Sequence, residues 1–147
     1  MLTREVRKGD ERIGFKITDL SSGAEGWLAR MGDSIGPRIG RYSVDSEDLE
    51  EIGVGALKGA AERSADLVLV DEIGPMEMTS SVFRDTLAKL LSAGRNVIAT
   101  VNYGSHYPEI ERSPGFAEAV SLEISRDNRE EMILRILSIV DAWTERS

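Results

Sequence analysis

Two adjacent carboxylates, Asp71 and Glu72, have the residue types and the spacing best suited to chemistry in this chain. They follow the apolar run Leu67–Val70 and precede Ile73-Gly74-Pro75-Met76-Glu77. Four consecutive apolar residues are typical of a strand buried on both faces, and ligands of open α/β sheets bind outside the carboxyl ends of such strands. An Asp there can hold Mg²⁺, and a neighbouring Glu can orient an attacking water. The pattern therefore predicts a Walker B strand in which Glu72 is the candidate catalytic residue.

The motif that usually accompanies a Walker B strand does not occur in these 147 residues: there is no Gly-x-x-x-x-Gly-Lys-Ser/Thr. In that motif the backbone N–H groups cradle the phosphates, the Lys neutralises their charge, and the Ser or Thr binds Mg²⁺. The 147 residues therefore combine a carboxylate pair with no recognisable phosphate cradle.

Composition narrows the classes of protein to which the chain can belong. A chain of 147 residues, with 41% hydrophobic and 30% charged residues, is expected to form one soluble globular domain over 1–147. Its net charge of −8 argues against a nucleic-acid partner. With no Cys and a single His, thiolate and multi-His metal sites are excluded. No apolar stretch is long enough to span a membrane and no signal-peptide core is present, so we expect a cytoplasmic protein without a membrane partner.

The elements that must position the carboxylates begin with predicted strands and continue with alternating helices and strands. Loose alternation over 2–7 and 13–20, with the polar link 8–12, predicts a β-hairpin. A third short strand is expected over 25–29. The stretch 32–40 contains three Gly and one Pro, which is typical of a loop.

Helical periodicity begins at Asp45, and Asp45 or Ser46 can cap this helix. The later elements are a helix capped by Thr79 or Ser80 and ending at Gly94, a strand over 96–101, a weaker strand over 119–124, and a helix capped by Asp127 or Asn128. Helix and strand alternate from residue 45 onward. The order predicts an α/β fold with a mostly parallel sheet covered by helices.

Blocks of sequence spread along the whole chain form a more specific pattern. They are Thr3-Arg4-Glu5-Val6-Arg7, Arg12-Ile13-Gly14-Phe15, Gly36-Pro37-Arg38-Ile39-Gly40-Arg41-Tyr42-Ser43-Val44-Asp45, Asp71-Glu72-Ile73-Gly74-Pro75-Met76-Glu77, Ala99-Thr100-Val101 and Asp127-Asn128-Arg129. In this order the blocks resemble the small P-loop nucleoside-triphosphatases sometimes called cancer-related nucleoside-triphosphatases.

The resemblance implies a three-layer P-loop NTPase-like sandwich with an N-terminal β-hairpin elaboration. It also implies Mg²⁺-dependent hydrolysis of nucleoside triphosphates, ATP and GTP included, to the diphosphate and phosphate. Members of the family carry a strand, a P-loop and a helix before the segment matched by Thr3–Arg7, so we expect a truncated domain. A sheet without that first strand would have an unpaired edge, which suggests a possible homo-oligomer.

Roles for individual residues also follow from the resemblance. Asp71 is implied as the residue associated with Mg²⁺, and Glu72 as the general base or water-orienting residue. Thr100 is either a polar group that senses the γ-phosphate or a β-branched strand residue with a satisfied hydroxyl. Glu77 is expected to support the site or to be structural. The family often carries a His where this chain has Asn102.

Three further residues are candidates for binding the nucleotide. Arg41, like Arg38, lies in the Gly-rich loop, where a basic side chain either reaches phosphates or is solvated. Asn128 and Arg129 match a family turn near the nucleotide, although Asn128 is equally well explained as a helix N-cap.

Two other functions remain open beside hydrolysis. The first is a catalytically inactive remnant or interaction module that keeps the sheet without the phosphate cradle. The second is nucleotide kinase chemistry, which ranks last because the sequence has no dense Arg-rich lid.

Overall fold

The computed structural model describes residues 1–32 and 35–145. Two residues of the predicted loop 32–40 therefore lie outside the described residues. The chain divides into two compact units, residues 1–117 and 118–147, and each is described by itself. The expectation of a single domain stays a prediction.

The first unit is built on one seven-stranded sheet in the order β4-β5-β3-β2-β1-β6-β7. Its strands are β1 (Leu2–Lys8), β2 (Glu11–Thr18), β3 (Glu25–Met31), β4 (Arg38–Ile39), β5 (Tyr42–Val44), β6 (Val68–Ile73) and β7 (Val97–Val101). The pairings β1–β6 and β6–β7 are parallel, and the remaining pairings are antiparallel. The sheet is therefore mixed, whereas the sequence predicts a mostly parallel one. The short links between β1, β2 and β3 explain the difference, because parallel neighbours need a crossover of about a dozen residues or more.

The predicted β-hairpin is present as β1 and β2. The two strands pair from Leu2 opposite Thr18 to Lys8 opposite Glu11, with an irregularity between Val6 and Arg7. Since β1 is also parallel to β6 and Leu2 lies opposite Asp71, the hairpin extends past the carboxyl end of β6.

The helices of the first unit begin directly after β5. They are α1 (Ser46–Asp48), a π-helical segment (Leu49–Val54), α2 (Gly55–Glu62), a 3₁₀ turn (Glu77–Thr79), α3 (Ser81–Ser92), α4 (Pro108–Glu111) and α5 (Pro114–Ala117). Asp45 caps the first helix as predicted, since its Oδ1 accepts a hydrogen bond from Asp48 N at 3.1 Å. Gly53 allows the π-helical segment to pack tightly, because a Cβ there would lie 2.7 Å from Ile17 Cδ1. Close packing thus accounts for a Gly that local propensity disfavours in a helix.

The core of the first unit holds buried side chains from the sheet and from the helices. The largest fully buried apolar side chains are Phe83, Ile17, Leu28, Leu49, Leu57, Leu87, Ile110, Val44, Val54 and Val70. Along β6 the burial alternates, with Val68 and Val70 buried and Leu69 40% exposed. The prediction that this strand is buried on both faces is therefore wrong for Leu69 in the described chain.

The second unit contains one long helix, α6 (Arg129–Thr144). The prediction of a strand over 119–124 is wrong, because these residues have no regular secondary structure and pair with no described strand. A strand needs a neighbour that satisfies its backbone groups. Across the described residues, no helix is both long enough and apolar enough to cross a membrane.

Candidate functional site

The two carboxylates lie within β6, at its carboxyl end, rather than in the loop that follows. Val70 pairs with Ala99 and Ile73 pairs with Val101, so β6 uses one more residue than β7 over this stretch. Asp71 and Glu72 occupy this bulge, and both side chains are half-buried. The peptide bond between them is cis. Bulges commonly re-aim side chains next to functional sites.

Thr100 lies on the neighbouring parallel strand and contacts the first carboxylate directly. Its Oγ1 donates a hydrogen bond of 2.5 Å to Asp71 Oδ1. The sequence could place Thr100 only at the end of its own strand. The structure brings Asp71, Glu72 and Thr100 together across two strands.

A third carboxylate, that of Glu77, lies close to the Glu72 carboxylate at the Gly74 turn. The chain turns at Gly74 and re-enters the fold in the 3₁₀ turn, where the side chain of Glu77 is only 1% exposed. The Glu77 carboxylate accepts hydrogen bonds from the backbone N–H groups of Gly74 and of Glu77 itself. A Cβ at Gly74 would lie 2.8 Å from Glu72 Oε1 and 2.8 Å from Glu77 Oε2. The turn therefore needs glycine because two carboxylates converge on it.

Burial and mutual repulsion make two of these carboxylates more basic than usual. Burial, followed by the negative charge of Asp71, raises the pKa of Glu72. Burial raises the pKa of Glu77 to about 7 and outweighs the backbone hydrogen bonds from Glu77 and Gly74, which lower it. The negative charges of Glu72 and Asp71 raise it by smaller amounts. A Glu with a raised pKa is better matched to proton transfer near neutral pH.

The metal that the resemblance implies can be tested against these donors. No group of three or more His, Asp or Glu within the described ranges could hold a metal ion by itself. Mg²⁺ in nucleotide sites is usually bound through one or two carboxylates together with water and phosphate oxygens. A single accessible carboxylate such as Asp71 fits an ion that arrives with a nucleotide and does not fit a preformed metal centre.

Arg41 lies at the far end of the hairpin from Asp71. Its Nη2 donates to Arg12 O at 3.1 Å, its Nε donates to Tyr42 Oη at 3.3 Å, and its Nη1 lies 3.6 Å from Glu11 Oε1. On β1, Arg7 lies opposite Arg12 and Leu2 lies opposite Asp71. These two β1 residues are five positions apart, which corresponds to about 17 Å along the strand. The structure therefore does not place Arg41 beside the carboxylates.

Asn128 and Arg129 belong to the second unit. The Asn128 side chain makes two local hydrogen bonds: its Oδ1 accepts from Ser125 N at 2.8 Å, and its Nδ2 donates to Glu123 O at 3.0 Å. It precedes α6 but makes no side-chain cap. Arg129 is exposed at the start of α6 and lines an open concavity together with Ile124 and Ser125. Their role in binding a nucleotide stays a prediction.

Glu77 is the functional candidate that sequence reasoning undervalued. Its spacing contains a usable signal, because a Gly-Pro turn after the carboxylate pair sends the chain back toward the strand end. What the spacing could not reveal is that Glu77 is buried and that its carboxylate converges with that of Glu72 on one glycine.

The sheet, with a carboxylate pair at the carboxyl end of the inner strand β6, defines a P-loop NTPase-like α/β fold. The crystal structure of THEP1 from the hyperthermophile Aquifex aeolicus has this fold, with a TM-score of 0.79 and 30% sequence identity. The match covers 95% of this chain and 81% of that one. The predicted fold class is thereby confirmed.

The chain belongs to the NTPase family, whose pattern it matches over residues 1–137. It is 47% identical over 102 residues to the nucleoside-triphosphatase THEP1 of Thermofilum pendens, which covers 69% of this chain and 56% of the relative. It is 42% identical over 138 residues to the protein of the same name from Thermotoga petrophila, which covers 94% of this chain and 75% of the relative. The predicted family resemblance is confirmed, and the chain spans little more than half of the first relative's length.

Proposed function

We propose that this chain provides the hydrolytic half of a Mg²⁺-dependent nucleoside-triphosphatase that converts ATP, GTP and other nucleoside triphosphates to the diphosphate and phosphate. The observation that carries the proposal is the convergence of Asp71, Glu72 and Thr100 at the end of an inner strand. The names of the family and of its relatives support the same reaction class.

Each of the three residues has a distinct task in this reaction. Asp71 would hold the Mg²⁺, and Thr100 fixes one oxygen of its carboxylate. When bound, the ion supplies charge neutralisation on the β- and γ-phosphate oxygens. Glu72 orients a water and accepts its proton as the water oxygen bonds to the γ-phosphorus. The bond between that phosphorus and the β–γ bridging oxygen breaks, and the diphosphate leaves.

Binding of the triphosphate needs a phosphate cradle that these 147 residues do not encode in recognisable form. Backbone N–H groups and a Lys normally supply it. The proposal therefore assigns phosphate binding to a Walker A segment that works together with this chain.

The test compares hydrolysis of ATP and GTP, with and without Mg²⁺, by the purified 147-residue chain and by a form that carries a Walker A segment ahead of Thr3. Asp71→Ala and Glu72→Gln are made in both forms. We expect Glu72→Gln in the extended form to bind nucleotide and to lose at least about 100-fold in turnover. Unchanged turnover in Glu72→Gln would refute the role of Glu72.

A second candidate function is a non-catalytic scaffold that pairs through its sheet. β7 is the last strand of the sheet within the described ranges, and Ala99, Thr100 and Val101 on it are exposed. Edge strands with free backbone groups can pair with a second chain. This function predicts self-association of the 147-residue chain without hydrolysis, and a strictly monomeric mass across the micromolar range would exclude it.

A further inference from the structure

We propose that Glu77 is a positioning residue for Glu72. Its buried carboxylate anchors the Gly74 turn and thereby sets where the Glu72 carboxylate lies in the hydrolytic site. The expected effect of Glu77 on turnover rests on the proposed function. The interaction between the two carboxylates can be tested without turnover.

The burial of Glu77 is the first argument. Glutamate is almost never fully buried unless a partner compensates its charge, because removing a carboxylate from water is costly. Here the side chain is 1% exposed, and its hydrogen bonds come from the backbone N–H groups of Gly74 and Glu77. A neutral Gln could accept the same two hydrogen bonds. Holding the turn therefore does not by itself account for an ionisable group at this position.

The geometry at Gly74 is the second argument. Glu72 Oε1 and Glu77 Oε2 each lie 2.8 Å from the point that a Cβ of Gly74 would occupy, so the two oxygens are at most twice that distance apart. Neither carboxylate can shift toward Gly74 without approaching the other. The buried Glu77 is the less movable of the two, so it limits the positions open to the half-buried Glu72.

The electrostatics support the same relationship. The pKa of Glu77 is raised to about 7, chiefly by burial. Glu72 and Asp71 are the charged groups that act on Glu77, and each raises this pKa by a smaller amount. Glu77 therefore changes charge near neutral pH.

The first measurement follows the Gly74 amide by ¹⁵N–¹H NMR between pH 5 and pH 9 in the 147-residue chain, because this N–H donates to the Glu77 carboxylate. We expect a titration step near pH 7 that disappears in Glu77→Gln. In Glu72→Gln, which leaves Glu77 in place, the step should move to lower pH. Glu47→Gln, a charge removal at an exposed helix position, is the matched control and should leave the step unchanged. A missing step, or a midpoint that Glu72→Gln does not move, would overturn the proposal.

The second measurement is of kcat and KM in a form that hydrolyses nucleotide. We expect Glu77→Gln to lower kcat at least tenfold with KM within twofold, because the loss of positioning acts on the reacting carboxylate and not on nucleotide binding. An unchanged kcat, or a KM that changes in step with kcat, would overturn the positioning role. If no form hydrolyses nucleotide, the proposed function is refuted but the interaction between Glu77 and Glu72 is not. The titration step of the Gly74 amide, and its shift in Glu72→Gln, still decide whether the two carboxylates interact.

Discussion

Thr100 Oγ1 on β7 donates a 2.5 Å hydrogen bond to Asp71 Oδ1 on β6, which ties the ends of two neighbouring parallel strands together. The bond spans the bulge at which β6 carries one more residue than its partner. The Thr100 side chain thus links the two strands across the bulge and orients the carboxylate that we propose binds the metal.

The first prediction tests this bond. Thr100→Val keeps the β-branched shape but removes the donor, and we expect it to lower the free energy of unfolding by about 1 kcal/mol. Thr100→Ser retains the hydroxyl and should stay close to the wild-type protein. Urea unfolding of the three chains measures the difference. Equal stability of Thr100→Val and Thr100→Ser would show that the bond contributes nothing in solution.

The second prediction concerns the glycine at the turn. Gly74→Ala places a Cβ 2.8 Å from an oxygen of both Glu72 and Glu77, so at least one carboxylate must move. Because Gly74 is buried, we expect a loss of about 1–3 kcal/mol in the free energy of unfolding, as in other overpacked sites.

Gly55→Ala is the matched control for this substitution. Gly55 is exposed, has helical φ and ψ, and nothing lies within 4 Å of its added Cβ. Alanine there should raise the free energy of unfolding by up to about 1 kcal/mol. Chemical denaturation of both variants should give shifts of opposite sign. A stabilised Gly74→Ala variant would contradict the convergence of the two carboxylates.

The third prediction is a pH dependence of stability that originates at Glu77. Its pKa rises from 4.5 in the unfolded chain to about 7 in the folded one, so between these values the folded state binds more protons. The contribution of protonated Glu77 to the free energy of unfolding is therefore fully present below pH 4.5 and is lost as the pH rises through about 7. The loss is of order 3 kcal/mol.

Glu77→Gln cannot ionise and should escape this loss. Urea unfolding of the wild-type and variant chains at pH 5 and pH 8 provides the comparison. We expect the variant to be relatively more stable at pH 8, and the difference between the chains to shrink at pH 5. If the free energy of unfolding changes equally in both chains between pH 5 and pH 8, Glu77 titrates normally in the folded protein.

Local sequence patterns predicted the elements that depend on neighbouring residues. The hairpin of β1 and β2 follows from alternation and a polar turn, and the cap at Asp45 is a contact within three residues. Features set by distant packing were not predictable in this way. Leu69 reads as buried in the sequence but is 40% exposed, because burial depends on what covers each face of β6.

The same distinction separates the site residues. The apolar run before Asp71 and Glu72 indicates a strand, and both residues lie at the carboxyl end of β6, while their roles stay predictions. The contact of Asp71 with Thr100 depends on the register of β6 against β7, which no local pattern reveals. The composition of its loop makes Arg41 a candidate for binding phosphates, but its guanidinium donates to Arg12 O and Tyr42 Oη in the hairpin region. The sequence thus indicates the position of the two strand-end carboxylates better than the side chains that contact them.

The fourth prediction tests the cap of α3, the helix that follows the site. Ser80 Oγ accepts a hydrogen bond from Phe83 N at 3.1 Å and donates one to Glu50 Oε1 at 3.0 Å, which links this helix to the π-helical segment. Because Ser80 is buried, Ser80→Ala should lower the free energy of unfolding by about 1–2 kcal/mol. Ser81→Ala, at the next and exposed position, should change it by less than about 0.5 kcal/mol.

A double-mutant cycle separates the two bonds of Ser80. If the bond to Glu50 stabilises the fold, Ser80→Ala and Glu50→Ala combined should cost less than the sum of the two single changes, because either single change already removes the bond. If only the cap at Phe83 N matters, the two effects should add. Urea unfolding of the four chains distinguishes the cases, and a Ser80→Ala variant as stable as Ser81→Ala would contradict both bonds.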